Sequence, residues 1–229
     1  MRIPLTKYGL PQVAVFPIVV FITMLSLFVA FAPALWLFPV QAILFAILIW
    51  AFSFFRDPKR IIVQDENILY SPADGTITDI DEMDDTELGV KALRIGMFLS
   101  VFNVHVNRAP CSVRIEKVMY KKGKFINAMS PDASKINESN DTLMMRLSAP
   151  HDKLLVRQIS GAVARHIVCA AKEGDEYRQG DKFGMIKFGS RAELYLPAAD
   201  GSDKRRFEVT VKIGDAVRGG LTPLVKYLP

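Results

Sequence analysis

The pattern of apolar and polar positions divides this chain into two parts. No charged side chain occurs in residues 13–55, whereas the rest of the chain carries frequent Lys, Arg, Asp and Glu. The charge-free part consists of two apolar runs, Val13–Phe31 and Leu35–Phe55, each close to the roughly 20 residues that cross a bilayer core. We therefore predict that residues 1–60 form a membrane anchor of two transmembrane helices.

Two other interpretations of the apolar part remain open. A secretory signal peptide would suit the basic residues Arg2 and Lys7 and the small residues Ala32 and Ala34, but its apolar core is normally about 7–15 residues long. A buried hairpin of a soluble protein would need a large partner to cover it. The length of the first run and the second run directly after it favour the membrane hairpin.

The charges beside the two runs predict the orientation of the hairpin. Basic side chains precede the first run and follow the second, while the short loop between the runs has no Lys or Arg; these side chains are Arg2, Lys7, Arg56, Lys59 and Arg60. Loops that carry Lys and Arg stay on the cytoplasmic side of a membrane. We therefore expect the domain that follows to lie at the cell membrane, on its cytoplasmic face.

Residues 61–229 show the short alternating pattern of a β-rich domain. Segments such as GTITDI, SVRIEKVMYKKG, AELYLP and FEVTVKIG alternate or run apolar over a few residues, and Gly, Pro and Asp separate them. A helical period is hard to find in this part. The predicted fold is mainly β.

A weak internal repeat refines this prediction. The pattern G-D-x-x-R-x-G begins at Gly174 and again at Gly214, each time before an apolar strand that contains a Lys. Strand pairs flanked by Gly are typical of small β half-barrels of the lipoyl-like or barrel-sandwich kind, because Gly allows the positive φ angles of tight turns. Coincidence in a Gly-rich β chain is the alternative.

Charge and cysteine content narrow the function classes. The net charge of +5 would help to hold a domain against an anionic leaflet. No motif of basic and aromatic residues indicates nucleic-acid binding. Cys111 and Cys169 lack the spacing of metal ligands and are expected to be reduced packing residues.

The segment KFGMIKFGSRAELYLP, residues 182–197, carries the candidate chemistry. It predicts two strands, Met185–Phe188 and Ala192–Leu196, joined by only three residues that include Gly189 and Ser190. Such a connection is either a tight corner or a strained bond. Gly permits backbone angles that other residues avoid, and Ser becomes a nucleophile when a neighbour takes its proton.

Among the three histidines, His105 is the best candidate base. It lies between apolar strand residues in SVFNVHVNRAP, where a half-satisfied ring is costly, whereas His151 and His166 have turn-like or ambiguous surroundings. A hydrogen-bonded core histidine is the alternative. Asp74, in the rigid turn SPADG, is the candidate to orient the imidazole, although an Asp before Gly often only closes a turn.

Several motifs closely resemble those of the short-form phosphatidylserine decarboxylases, which are membrane-associated pyruvoyl enzymes that cut themselves between Gly and Ser. These motifs are FFRDP, SPADG, FLSVFNVHVNRAP, NESN and IKFGSRAELYLP. The resemblance implies that Ser190 attacks the carbonyl of Gly189, with His105 as base and Asp74 holding the imidazole. The products would be a large chain, 1–189, and a small chain that starts at residue 190.

The resemblance also implies the cofactor and the reaction. Ser190 would become a covalent pyruvoyl group, that is, a bound pyruvate derived from the serine itself, which forms a Schiff base with phosphatidylserine in the membrane. Carbon dioxide and phosphatidylethanolamine would be released, which makes the protein a carboxy-lyase of phospholipid biosynthesis. No pyridoxal phosphate or metal is implied, and the sequence offers neither a metal-spaced His/Cys cluster nor a Gly-rich phosphate loop. The two chains would remain associated, and a homo-oligomer remains open.

The resemblance points to one substrate contact. Longer relatives carry two histidines three residues apart before a Pro-Cys pair, and alignment on Pro110 and Cys111 places His105 on the first and Arg108 on the second. His105 would therefore serve self-cleavage, decarboxylation or both. Arg108 is a candidate contact for the lipid phosphate, with a surface arginine as the alternative. Asn107 and Asn137 are weaker pocket candidates.

Two other function classes compete with this interpretation. A membrane-tethered lipoyl-like carrier without self-cleavage should display a modifiable Lys at an exposed hairpin tip, whereas Lys187 and Lys226 lie inside apolar strands. A membrane-bound serine hydrolase that uses Ser190 should carry the motif G-x-S-x-G, which does not occur around that serine.

Overall fold

The structure, a computed structural model, describes residues 5–32, 34–162, 166–187, 189–198 and 206–228. The chain forms two compact units, Met1–Lys59 and Arg60–Pro229.

The first unit consists of two apolar helices, α1 (Leu10–Phe31) and α2 (Leu37–Phe54), after a 3₁₀ turn at Lys7–Gly9. Both helices are long and apolar enough to cross a membrane, and their apolar side chains are mostly exposed. The described residues of the chain therefore do not themselves cover the two helices. The expected apolar helix pair is confirmed, and α1 begins three residues earlier than the apolar run because Pro11 is favourable in the first turn of a helix.

The second unit is mainly β, as predicted. Its described residues form fourteen strands: β1 (Ile68–Tyr70), β2 (Gly75–Asp85), β3 (Val90–Leu99), β4 (Val106–Arg108), β5 (Val113–Lys121), β6 (Ser139–Arg146), β7 (Lys153–Ile159), β8 (Ile167–Cys169), β9 (Glu176–Tyr177), β10 (Lys182–Ile186), β11 (Ser190–Pro197), β12 (Phe207–Val209), β13 (Ala216–Val217) and β14 (Pro223–Tyr227). One short helix, α3 (Ala133–Ile136), lies between β5 and β6.

The strands form three antiparallel sheets. The largest has the order β13-β2-β3-β11-β7-β6-β5-β9, and the two smaller ones have the orders β1-β14-β12 and β4-β10-β8. One large cluster of buried apolar side chains draws on all three sheets, with Ile95 and Leu194 from the large sheet, Phe183 from β10 and Val225 from β14. No closed barrel is assigned within the described ranges.

The two G-D-x-x-R-x-G segments have the same backbone geometry. Their first glycines, Gly174 and Gly214, have φ angles of 87° and 95°, and their last glycines, Gly180 and Gly220, have φ angles of 85° and 74°. These values lie in the left-handed region that glycine adopts at little cost. The repeat in the sequence therefore corresponds to a repeat in the structure.

The strands around these segments repeat as well. β1 pairs with β14 and β2 with β13, while β4 pairs with β10 and β5 with β9. The two copies of the repeat exchange equivalent hydrogen bonds. Tyr70 N donates to Pro110 O, and Arg108 N donates to Pro72 O, both at 2.9 Å. The β unit thus contains two interlocked copies of one strand–turn arrangement, which agrees with the half-barrel character expected from the repeat.

Candidate active site

The candidate cleavage junction lies where the chain passes between two sheets. β10 ends at Ile186 in a small sheet, and β11 begins at Ser190 in the large sheet, where Ser190 lies opposite Leu99. Gly189 has a φ angle of 59°, in the left-handed region where a side chain would be strained. The junction therefore favours glycine directly before Ser190.

The carbonyl group of Gly189 is closely packed. A Cβ atom added to Gly161 would collide with the carbonyl oxygen of Gly189, and it would lie 3.2 Å from the Cβ of Ala128. On another side, Val101 Cγ1 lies 3.9 Å from where a Cβ of Gly189 would stand. The carbonyl that Ser190 would attack is thus held between separate loops.

The environment of Ser190 is compatible with a nucleophile. Its exposure is 0%, and its Oγ makes no hydrogen bond to any residue that the structure describes. Leaving a buried hydroxyl without a partner costs about 1–3 kcal/mol, so such a group in a folded protein calls for an explanation. An Oγ that is not engaged elsewhere is available for attack on a neighbouring carbonyl.

His105 is fully buried and lies directly before β4, beside the end of β10. Its backbone oxygen accepts a hydrogen bond from Ile186 N at 3.2 Å. Its Nδ1 lies 3.0 Å from the backbone oxygen of Asn103. Because a carbonyl oxygen can only accept, Nδ1 carries the hydrogen, and Nε2 is then the basic atom of the neutral ring. His151 and His166 are exposed, in keeping with the preference for His105.

Asp74 precedes β2 at the same end of the large sheet as Ser190. Its two carboxylate oxygens accept hydrogen bonds from the two terminal nitrogens of Arg60 at 2.7 and 2.8 Å, and one of them also accepts from Gly219 N at 2.7 Å. These contacts bind the start of the β unit to the C-terminal turn. The structure thus gives Asp74 partners other than His105, and its role in orienting the imidazole stays a prediction.

Arg108 is buried in β4, so the alternative of a surface arginine is wrong. Its Nη1 donates to Gly180 O at 2.9 Å, and its Cδ lies 3.2 Å from the Cβ position of Gly220. The guanidinium group therefore lies at the turns of both repeated units. Its predicted contact with a lipid phosphate remains a prediction.

The two asparagine candidates bind protein groups. Asn107 Oδ1 accepts a hydrogen bond from Gln158 Nε2 at 2.8 Å. Asn137 Nδ2 donates to Ile126 O at 2.9 Å and to Ser160 O at 2.8 Å, and Asn137 Oδ1 accepts from Ile126 N at 2.9 Å. Asn137 therefore joins the two loops that supply Ala128 and Gly161 to the surroundings of the Gly189 carbonyl.

A buried ionic cluster follows the junction and was missed at the level of sequence. Arg191 Nε donates to Glu193 Oε1 at 2.6 Å, and Arg191 Nη2 lies 2.7 Å from Asp79 Oδ2. Glu193 Oε2 also accepts from Tyr195 Oη at 2.6 Å and from Ser134 Oγ at 2.7 Å. The sequence pattern that could have revealed this cluster is the spacing of Arg191, Glu193 and Tyr195, because alternate residues of a strand share one face.

Charges in this cluster shift two pKa values. Partial burial raises the pKa of Asp79. A hydrogen bond with Thr78 and the positive charges of Arg191 and Arg94 together lower this pKa by more than burial raises it, so the net shift is downward. Burial, together with the charge of Glu193, raises the pKa of Tyr195 well above its ordinary range. At neutral pH the cluster therefore combines the ionised carboxylate of Asp79 with the neutral hydroxyl of Tyr195.

The lysines and cysteines considered in the sequence do not provide the site of a carrier protein or a metal protein. Lys187 is buried directly after β10, where burial lowers its pKa, and Lys226 lies within β14, so neither occupies an exposed hairpin tip. Burial raises the pKa of Cys111 to about 12, while Cys169 is half-buried. Within the part of the chain that the structure describes, no group of three or more His, Cys, Asp or Glu side chains is arranged to hold a metal ion.

Comparison with known proteins agrees with these features. The family model for phosphatidylserine decarboxylase matches residues 47–224. The chain is 42% identical over 183 residues to a phosphatidylserine decarboxylase proenzyme of Pelagibacter ubique, which covers 78% of this chain and 80% of that protein. It is also 42% identical over 181 residues to the proenzyme of the same name from Carboxydothermus hydrogenoformans, covering 79% and 81%. The chain therefore belongs to the phosphatidylserine decarboxylase family.

Proposed function

We propose that this chain is a proenzyme that cuts itself between Gly189 and Ser190 and then decarboxylates phosphatidylserine to phosphatidylethanolamine and carbon dioxide. Both relatives described above carry the name phosphatidylserine decarboxylase proenzyme. The observation that carries the proposal is the buried Ser190 hydroxyl, which makes no hydrogen bond to the described residues and directly follows a glycine with a left-handed backbone. Both features suit a nucleophile beside its own preceding carbonyl.

In the cleavage step, Ser190 Oγ forms a bond to the carbonyl carbon of Gly189, and Nε2 of His105 accepts the hydroxyl proton. The peptide C–N bond breaks and its nitrogen takes a proton, so that an ester joins the two residues. Loss of the Cα proton of residue 190 then expels the Gly189 carboxylate and separates chain 1–189 from chain 190–229. Water replaces the nitrogen on residue 190, ammonia leaves, and a pyruvoyl group remains.

The surroundings of Ser190 fit this group, because the buried Oγ makes no hydrogen bond to the described residues, and the pyruvoyl ketone that replaces it carries no hydroxyl donor to be satisfied. The pyruvoyl group supplies an electron-accepting ketone for the decarboxylation, as cofactors do for carbanions. The chain's own residues bind and orient the lipid. Arg108 is the proposed partner of the lipid phosphate, since a guanidinium forms paired hydrogen bonds with phosphate oxygens. His105 transfers protons in self-cleavage, in decarboxylation or in both.

The two chains remain associated after the cut. The small chain would contain β11, which pairs with β3 and β7 of the large chain, and β14, which pairs with β1 of the large chain. Glu193 in the middle of β11 is completely buried and accepts a hydrogen bond from Ser134 of the large chain. These contacts do not involve the broken bond, so they persist when it is cut.

The helix pair anchors the protein in the cell membrane, with the β unit on the cytoplasmic face. The apolar helices support the anchor, and the basic residues on both flanks of the pair support the orientation. A membrane location is consistent with a phospholipid substrate, whose acyl chains remain in the leaflet.

Replacement of the candidate nucleophile tests the proposal. Denaturing mass spectrometry of the natural chain should give two fragments, and a carbonyl reagent should label the small one. Ser190→Ala should remain a single 25.6 kDa chain without label and without decarboxylase activity. Ser148→Ala, at the opposite end of β6 from the site, is the matched control and should be cut normally. Full decarboxylation by an uncut Ser190→Ala protein would refute the proposal.

A further inference from the structure

Large apolar side chains are exposed on two loops near the cleavage junction. Phe102, between β3 and β4, is 72% exposed, and Met129, between β5 and α3, is 59% exposed. Phe125 in the second loop is also exposed. We call residues 100–103 and 121–130 together the site rim. Exposed apolar side chains that cluster around a functional site mark an interaction surface.

The rim lies directly beside the reacting carbonyl. Val101 lies next to Gly189, and Ala128 lies next to Gly161, the residue that packs against the Gly189 carbonyl. Each of them is followed in the chain by an exposed apolar residue, Phe102 and Met129 respectively. Whatever covers these two side chains is therefore brought close to the Gly189–Ser190 junction.

Both rim loops are held in place by hydrogen bonds. The backbone nitrogen and Oγ of Ser100 both donate to Asn103 Oδ1 at 2.8 Å. In the other loop, Asn137 exchanges two hydrogen bonds with the backbone of Ile126, as described above. The apolar side chains are thus presented to the outside by ordered loops, which favours a surface prepared for a partner.

The charge of the rim indicates the chemistry of this partner. Residues 121–130, KKGKFINAMS, contain three lysines and no acidic side chain, and Lys121, Lys122 and Lys124 are all exposed. Lysines next to exposed Phe and Met are typical of protein surfaces that bind anionic lipid, where cations meet the headgroups and apolar side chains enter the interface.

The start of the β unit lies at the same end of the large sheet. Arg60 is bound to Asp74, directly before β2, and Thr76 of β2 lies opposite Phe98, next to the residue that faces Ser190. In the sequence, Arg60 follows the second apolar helix after a few residues. Arg60, the first residue of the β unit, therefore lies at the end of the large sheet that carries the rim.

We propose that the site rim docks onto an anionic phospholipid bilayer, with its exposed apolar side chains inserted into the interface and its lysines at the headgroups. The inference rests on the proposed function in one respect, namely that the substrate is a membrane lipid. Docking brings the lipid headgroups level with residue 190. The opposite end of the large sheet, where the β2–β3 turn lies, faces water.

Spin labels measure this docking without any need for activity. The full-length Ser190→Ala, Cys169→Ser protein is placed in nanodiscs of phosphatidylcholine and phosphatidylglycerol, and carries one label at Phe102→Cys or Met129→Cys. The control label is at Val90→Cys, whose natural residue is also an exposed apolar residue, at 46%. Val90 starts β3 and so lies about 30 Å along the strand from Leu99, which faces Ser190.

At Phe102→Cys and Met129→Cys, we expect high accessibility to oxygen and low accessibility to a water-soluble nickel complex, and the reverse at Val90→Cys. Aqueous exposure of all three labels would overturn the docking proposal, and it would leave the proposed function intact because the measurement uses an uncut protein.

A kinetic experiment tests the lysines. Lys122→Gln/Lys124→Gln should cut itself normally, lose roughly tenfold or more in kcat/KM on vesicles that contain phosphatidylserine, and retain its rate on a short-chain soluble analogue. Lys91→Gln/Lys153→Gln removes two exposed lysines from the starts of β3 and β7, at the far end of the sheet, and should keep both rates. Equal loss by both variants, or equal loss on both substrates, would contradict the proposal.

Discussion

The carbonyl oxygen of Gly189 packs against Gly161, at a separation that leaves no space for a side chain at position 161. The two residues are distant in the sequence and belong to different loops. The contact matters because the carbonyl carbon becomes tetrahedral during the proposed cleavage, and its oxygen must then move and gain charge. A small residue at position 161 leaves this oxygen free to do so.

We therefore expect Gly161→Ala to slow self-cleavage at least tenfold, because the added methyl group displaces the carbonyl of Gly189 from Ser190. The fraction of cut chain over time, followed by gel electrophoresis, measures the effect. Gly89→Ala is the control for backbone strain away from the site, since Gly89 has a φ angle of 69° and lies in the distant β2–β3 turn, where an added Cβ meets no other atom within 4 Å. Unchanged cleavage in Gly161→Ala would show that the contact does not constrain the reacting bond.

Replacement of the proposed base should have a larger effect. His105→Gln keeps a polar side chain of similar reach but has no basic nitrogen, so cleavage should slow by about 10²–10⁴-fold, the usual contribution of a general base. His151→Gln, in an exposed turn, should be cut at the normal rate. If the two variants behave alike, His105 has only a packing role.

Asp74 could support the base His105, or it could have only a structural role through its contact with Arg60. Replacing Asp74 and Arg60 separately distinguishes these two roles. If Asp74 supports His105, Asp74→Asn should slow self-cleavage about tenfold or more, whereas Arg60→Gln should be cut at nearly the normal rate. Arg60→Gln should lower the thermal stability of the β unit, because it removes the two hydrogen bonds that the Arg60 guanidinium donates to the buried Asp74 carboxylate. Equal slowing in the two variants would assign Asp74 a structural role instead.

The lowered pKa of Asp79 predicts a dependence of stability on pH. A carboxylate whose pKa is lower in the folded state stabilises the fold above its ordinary value of 3.8, and this stabilisation is lost as the pH falls through the folded value. Asp79→Asn should therefore lower the free energy of unfolding at pH 7, and this difference should shrink as the pH falls below 3.8. Urea unfolding at several pH values measures this difference. A constant difference across the pH range would show that the charge of Asp79 does not stabilise the fold.

Patterns of neighbouring residues predicted those features that depend only on a short stretch of chain. Charge-free runs identified the helix pair, because crossing a bilayer requires length and apolarity alone. Gly174 and Gly214 revealed the repeated unit, since only a turn with positive φ needs glycine at those positions. His105 was singled out for its apolar neighbours, and it is buried.

The remaining features depend on tertiary contacts that no local pattern contains. The sequence predicted β10 and β11 as strands, but alternation cannot reveal that they belong to different sheets. The same limit applies to Gly161, whose close contact with Gly189 depends on how two loops meet. The pairing of Asp79 with Arg191 needs the register between β2, β3 and β11, which is set by the whole sheet.

The interlocked strand–turn arrangements bear on the order of folding and cleavage in the proposed maturation. One unit, built from β4, β5, β9 and β10, lies entirely before residue 190, but the other takes β1 and β2 from that part and β13 and β14 from beyond it. The buried apolar side chains that the structure describes after residue 190 therefore belong to one cluster shared with residues before it. If the chain is cut as proposed, the uncut precursor reaches its native topology first, and scission then acts on an already folded β unit.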